Sequence, residues 1–224
     1  MVSRTAKLGR ALVVNLAIVG CAGRATAPTQ APSALSASAP VATVTPAPLP
    51  EGWTVRAIPQ PALRIAIPPE WQENSVAAVR ETIAAQVPPP EVRAAWTAIR
   101  DLMDSGRVRF VATGPSKVRP WTASVIVIVD AGDASLDAAV ARIEREPAMA
   151  VQHVTRDEVA VTLPIGSGRR VVVTTNVAGA QPTRAIMYVV LLGNGTTLSL
   201  IGSNREEDPS FIDLMGVMAE SLSR

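Results

Sequence analysis

The sequence predicts an α+β domain in which helices pack on an antiparallel β-sheet, and three observations carry that prediction. After residue 50 the apolar patterning runs strands, helices, two strands, a helix, a succession of hairpin strands and a closing helix. Gly193, Asn194 and Gly195 separate two apolar runs. Asn-Gly in that place is a strong hairpin signal, because both turn positions require positive φ. Asp208 and Pro209 then open the last helix, a short polar cap followed by a proline whose missing N–H is not needed in the first turn.

Each element has its own signal. Trp53 is the first aromatic residue, and ordered structure is expected to begin there. Residues 53–58 and 63–67 alternate like half-buried strands, and Pro68 with Pro69 stops the second. Residues 75–87 read as a helix ended by three prolines, 88–90. In residues 91–105, Val92, Ala95, Trp96, Ile99, Leu102 and Met103 fall on one helical face, and Gly106 stands where a C-terminal cap belongs. Trp96 on that face is expected in the core and not at a ligand.

Residues 107–113 alternate as a strand. Residues 122–129 are nearly all β-branched, the signature of a central strand covered on both faces. Ser135 caps a helix carrying Leu136, Ala139, Val140 and Ile143. Residues 151–156 and 158–163 read as two strands. Gly166, Ser167 and Gly168 are expected to turn the chain into a strand at 169–177, and strands at 184–192 and 196–203 flank the Asn-Gly turn. Phe211, Leu214, Met215, Met218 and Leu222 make the buried face of the closing helix.

The charge balance is uneven along the chain. Of 21 basic residues, Arg4, Lys7, Arg10 and Arg24 precede Glu51, and none of the 19 acids does. The net charge of +2 therefore belongs to the first fifty residues, and the domain is slightly acidic. No basic stripe interleaved with aromatics occurs, which argues against nucleic acid as a partner. Only Lys7 and Lys117 are lysines, and the arginine bias reads as compositional. The single Cys, Cys21, excludes an intrachain disulfide and needs another explanation.

Residues 1–21 have the parts of an export signal. A basic segment to Arg10 precedes an apolar run, 11–19, interrupted by Asn15. That run is too short to span a bilayer, which takes about 20 residues. Ile18, Val19, Gly20 and Cys21 follow, an apolar residue three before the Cys and a small one directly before it. This tetrapeptide resembles the lipobox of bacterial lipoproteins. The resemblance implies a diacylglyceryl thioether on Cys21, cleavage after Gly20 and acylation of the new amine by a palmitate-type chain. An ordinary secretory signal and an uncleaved anchor are the rival readings. Ala22 gives no inner-membrane retention signal of the Asp type.

Residues 22–50 hold nine Ala, six Pro and seven Ser or Thr, with no aromatic and no acid. Such a stretch buries too little surface to offset its ordering entropy. It reads as a tether, and proline favours its extension to roughly 3 Å per residue. The expected organisation is a signal peptide at 1–20, a lipidated Cys with tether at 21–50, and one domain at 51–224.

The domain resembles the PsbP-like superfamily, which includes bacterial lipoprotein domains of the LpqN and DcrB kinds. The carrying features are the opening strand running into Ile67, Pro68, Pro69, Glu70 and Trp71, the hairpin at Gly193, Asn194 and Gly195, and the helix 211–222. The resemblance implies an α/β/α sandwich. It implies no single activity, since one fold hosts many functions, though several relatives are accessory subunits or binding proteins.

Chemistry has few places to sit. His153 is the only histidine, and with Asp157 and Glu158 nearby it would still need a nucleophile. It reads as a strand-edge residue, and a His-based metal site is not expected. Glu206, Glu207 and Asp208 form the densest acidic run, suited to a hard cation or, more plainly, to a solvated loop before a helix. Asp130, Asp133 and Asp137 lack the closing Glu of a calcium loop. Gly166, Ser167 and Gly168 lack the Gly-Lys-Ser/Thr of a phosphate loop. Residues 114–120, with Lys117 and Arg119, would suit an anion but read as a polar connection.

The expectation is a membrane-tethered, non-enzymatic binding or accessory module of the cell envelope, facing away from the cytoplasm, whose partner is a protein, an envelope protein among the candidates, or another envelope component. No catalytic residue, cofactor or metal ligand is assigned. The rivals are a carrier for a small apolar ligand, held in a cavity lined by Trp71, Trp96 or Met residues, and a hydrolase using paired carboxylates.

Overall fold

The computed structural model describes residues 48–87, 93–119, 121–133, 135–145, 153–175, 182–192 and 195–224. The proposed signal segment, Cys21 and nearly all of the tether lie outside these residues.

Two strands open the domain, β1 (Thr54–Ile58) and β2 (Leu63–Ile67), followed by a short third, β3 (Gln72–Asn74). Two helices follow, α1 (Val76–Ala84) and α2 (Arg93–Asp104). Then come β4 (Val108–Pro115), β5 (Thr122–Ala131) and α3 (Leu136–Arg145). The chain ends with β6 (His153–Leu163), β7 (Gly166–Thr175), β8 (Thr183–Leu191), β9 (Thr196–Arg205) and α4 (Ser210–Glu220). Seven strands form one antiparallel sheet in the order β3-β4-β5-β9-β8-β7-β6, and β1 with β2 forms a separate hairpin.

The sheet carries a core on each face. On one face Ile58, Ile65 and Ile67 of the hairpin meet Phe211, Met215 and Met218 of α4. On the other, Ile83, Trp96, Ile99 and Leu102 of α1 and α2 join Val140 and Ile143 of α3. Helices thus cover both faces of the antiparallel sheet: the patterning predicts the α+β class, and the resemblance implies the sandwich. β5 shows why its sequence alternates little: Val125 and Val127 enter the first core, Ile126 and Ile128 the second. Each such fully buried side chain stabilises the fold by about 1.5–3 kcal/mol.

Local signals hold in several places. Ser135 Oγ accepts from Ala138 N at 3.1 Å, and Ser75 Oγ accepts from Ala78 N at 3.5 Å, so both serines cap their helices. Gly106 ends α2 with φ +69°. Gly195 has φ +72° beside the hairpin turn, whose tip residues Gly193 and Asn194 lie outside the described residues.

Four local expectations change. The two strands expected at 151–156 and 158–163 are one, β6, which runs through Asp157 and Glu158. An edge strand tolerates them because their carboxylates reach arginines on β7: Asp157 to Arg170 at 3.5 Å and Glu158 to Arg169 at 3.4 Å. The turn expected at Gly166, Ser167 and Gly168 lies earlier, at Pro164 and Ile165, because Leu163 already pairs with Gly166. Those glycines belong to β7, where a Cβ on Gly168 would stand 2.6 Å from Val189 O. Asp208 does not cap α4 with its side chain; Pro209 occupies the cap position without a side-chain bond. Finally, β3 was not foreseen, since Gln72, Glu73 and Asn74 carry no apolar residue and owe their conformation to pairing with Val111, Ala112 and Thr113.

Candidate functional site

The acidic residues that sequence alone offers as chemistry are mostly fastened inside the fold. Asp130 is the penultimate residue of β5 and Asp133 follows the strand; both side chains are less than one-tenth exposed. Arg142, one turn from the end of α3, lies 2.8 Å from each of them. Arg107 pairs with Asp130 from the start of β4, and Thr197 Oγ1 of β9 donates to Asp133 at 2.8 Å. The Arg142 hydrogen bonds hold the Asp133 carboxyl below its ordinary range against the opposing effect of burial. Asp137 takes no part, and pairs instead with Arg169 at 3.2 Å. The three aspartates therefore do not converge on one cation.

Asp208 is the centre of a second knot. Its Oδ2 accepts from Lys117 N at 3.1 Å and Asn204 Nδ2 at 2.9 Å, and its Oδ1 from Ser210 Oγ at 2.7 Å. Burial pushes its carboxyl up, but the bonds from Ser210, Lys117 and Asn204 outweigh this and leave it lowered. The structure thus joins two stretches that looked separate in sequence, the loop after β4 and the acidic run before α4. Beside the knot, the guanidinium of buried Arg205 lies 4.9 Å from the Trp121 ring and 3.4 Å from Glu207. Glu206 is half-buried, and its backbone N donates to Pro182 O. Lys117 and Arg119 are exposed.

His153 is the first residue of β6 and pairs with Thr175. Trp71 stacks on Phe211 with ring centroids 6.5 Å apart, and Trp96 Nε1 donates to Ile83 O at 3.1 Å. Both tryptophans are buried packing residues, as expected of Trp96. Among the described residues no group of His, Cys, Asp and Glu could hold a metal ion, and no helix is long and apolar enough to cross a membrane.

What the sequence did not foresee is a groove of about 410 Å³ between α4 and the β6 side of the sheet. α4 packs over β8, β9 and β2, and the groove opens between it and β6 and β7. Val161 and Leu163 of β6 and Ile212 and Val217 of α4 form its apolar walls. Asp213 and Glu220 of α4 stand along it, and Arg170 and Tyr188 lie at its floor. Arg170 and Tyr188 are cross-strand partners on β7 and β8. Gly216 stands above them, and a Cβ there would lie in ordinary contact with the Tyr188 hydroxyl at 3.6 Å. Burial pushes the Tyr188 phenol up, with Arg170 opposing. A sequence signal existed: Arg170 shares the inward phase of β7 with Val172, where a charge is out of place. None of Trp71, Trp96 or the methionines lines the groove.

No family model matches the chain, and no curated protein matches it. Solved structures do resemble it. LpqN of Mycobacterium tuberculosis, described as involved in cell envelope biogenesis, is 12% identical with a TM-score of 0.45, covering 72% of this chain and 82% of that one. The Ran-binding protein Mog1p of Saccharomyces cerevisiae is 12% identical with a TM-score of 0.48, covering 76% and 94%. A Pseudomonas aeruginosa protein of unknown function, described as a putative regulator, is 12% identical with a TM-score of 0.44, covering 77% and 96%. The likeness is one of fold class and says nothing of function.

Proposed function

We propose that the protein is a cell-envelope lipoprotein, anchored through Cys21, whose domain is a non-enzymatic binding module for an envelope protein. The observation that carries this reading is the groove beside α4, set in a domain whose buried carboxylates are engaged in structural pairs. Asp130 and Asp133 are close and buried, as a hydrolase would require, but Arg142 and Arg107 neutralise them in place. Arg142 holds the Asp133 carboxyl below its ordinary range, which makes it a poor proton donor. The anchor rests on the lipobox-like residues, the lone Cys and the proline-rich tether. Two or more acyl chains would make it stable, at about 0.8 kcal/mol per buried methylene.

The test is fractionation with intact-mass measurement of the native protein beside Cys21→Ser. The expected wild type is membrane-bound, begins at Cys21 and carries the added mass of diacylglyceryl and acyl groups, whereas the variant does not. A soluble, unlipidated wild type would sink the anchor. Crosslinking in the membrane then identifies the partner. The groove's volume also lies within the usual range for small ligands. Native mass spectrometry separates that carrier reading, which requires a co-purified ligand.

A further inference from the structure

We propose that the outer edge of β6 from Val159 to Leu163, with the groove beside it, docks an extended segment of a partner protein that carries a basic side chain. This deepens the binding-module reading and rests on it.

β6 is the last strand of the sheet, and no described residue pairs with its outer edge. Alternate residues of such a strand turn N–H and C=O groups outward, a template for another strand. Edge strands are normally guarded by charges. Here the charges sit only in the first part of the strand. Arg156 pairs with Glu144 at 2.7 Å, and Asp157 and Glu158 are held by Arg170 and Arg169. From Val159 onward the edge reads Val, Ala, Val, Thr, Leu, without charge or proline. Val159 is 37% exposed, one of the few large apolar side chains on the surface among the described residues.

The occupant follows from size and charge. Five paired residues fall far short of the roughly 20–30 residues a side that a stable protein interface uses, so a second copy held by this edge alone is disfavoured. An extended peptide needs less, because main-chain bonds supply affinity and one side-chain pocket supplies selectivity. Val161 and Leu163 set the phase that faces the groove, and an added strand places its in-phase side chains about 5 Å away. The groove has apolar walls and, on α4, Asp213 and Glu220, seven residues and roughly 10 Å apart. Neither forms an ion pair among the described residues, whereas the Arg170 charge is already met by Asp157. An apolar trough flanked by carboxylates suits Lys or Arg, whose aliphatic stem packs while the cation reaches an acid.

The test uses the full chain carrying Cys21→Ser, isotope-labelled for NMR. It is titrated with the acetylated, amidated peptide Ser-Val-Thr-Lys-Thr-Val-Ser and with the same peptide carrying Glu in place of Lys. The Lys peptide is expected to shift the amides of Val159 to Leu163 and to bind about fivefold more tightly than the Glu peptide. Combining Asp213→Asn with Glu220→Gln, both exposed positions, is expected to erase that preference while the edge amides still shift. Silent edge amides, or a preference that survives the double substitution, overturn the proposal. So do equal shifts with butylamine alone, which would make the groove a small-molecule site. If the edge is silent while the chain still crosslinks to an envelope protein, only the docking proposal falls. If native Cys21 carries no lipid, the anchored-module reading falls whatever the peptide does.

Discussion

Arg142 grips Asp133 with two prongs of its guanidinium: Nε donates to Oδ1 at 3.0 Å and Nη2 to Oδ2 at 2.8 Å. The same arginine reaches Asp130. One side chain on α3 therefore locks the end of β5, the loop beyond it and, through Thr197, the start of β9. Breaking a buried pair from one side is costly because it strands the other charge.

Arg142→Met should accordingly destabilise the domain by about 3 kcal/mol in urea or guanidinium unfolding. Arg142→Lys should fall between that variant and the wild type, since an ammonium keeps the charge but loses the two-pronged geometry. Equal stability of Arg142→Met and wild type would show the pair to be ornamental.

Acid stability follows from the same geometry. Asp133 and Asp208 both have folded-state carboxyls lowered from their ordinary values, the first chiefly by Arg142, the second by hydrogen bonds that overcome burial. A lowered folded pKa contributes stability that is complete above the unfolded value, about 3.9, and is lost as pH falls through the folded value. The melting temperature should hold down to about pH 5 and drop below about pH 4. Arg142→Met should lose less on acidification, because its Asp133 lacks the largest cause of the lowered pKa. A steeper acid loss in the variant would contradict the assignment.

Asp208 ties the loop after β4 to the start of α4, so its loss should be visible at a distance in sequence. Asp208→Ala should cost about 2 kcal/mol, the range for hydrogen bonds to a charged group. It should also speed hydrogen exchange at the Lys117 amide, whose acceptor it removes. Unchanged protection at Lys117 would mean that the loop holds itself.

Two glycines make a matched pair. A Cβ on Gly114 would stand 2.3 Å from Trp71 Nε1, against a rigid ring already stacked on Phe211. A Cβ on Gly202 would stand 2.3 Å from Met215 Sδ, the flexible end of a side chain that can move, with Phe211 Cζ at 2.9 Å. Gly114→Ala should cost about 2–3 kcal/mol and Gly202→Ala less, as overpacking is tolerated where the neighbour yields. Thermal melts of the two variants decide the order.

The sequence by itself determined the class of the fold and most of its elements. Local chemistry suffices for these: a period of two in β4, a period near four in α2, serine caps at α1 and α3, and an Asn-Gly hairpin between β8 and β9. It also supplies the proposal of a tether at residues 22–50, whose composition offers little surface to bury. Only the tertiary structure decided where the charges go. Asp133 and Arg142 are nine residues apart, one before α3 and one in its last turn, but Thr197 of β9 and Arg107 before β4 join them from far along the chain. Lys117 and Asp208 meet across 91 residues of chain. The turn at Pro164 and Ile165, the single strand β6 and the strand β3 depend on which partner each backbone finds, and periodicity carries no register between strands. The groove is a further case. It lies between one helix and the last strands of a seven-stranded sheet, and no residue of α4 or β6 encodes that gap alone.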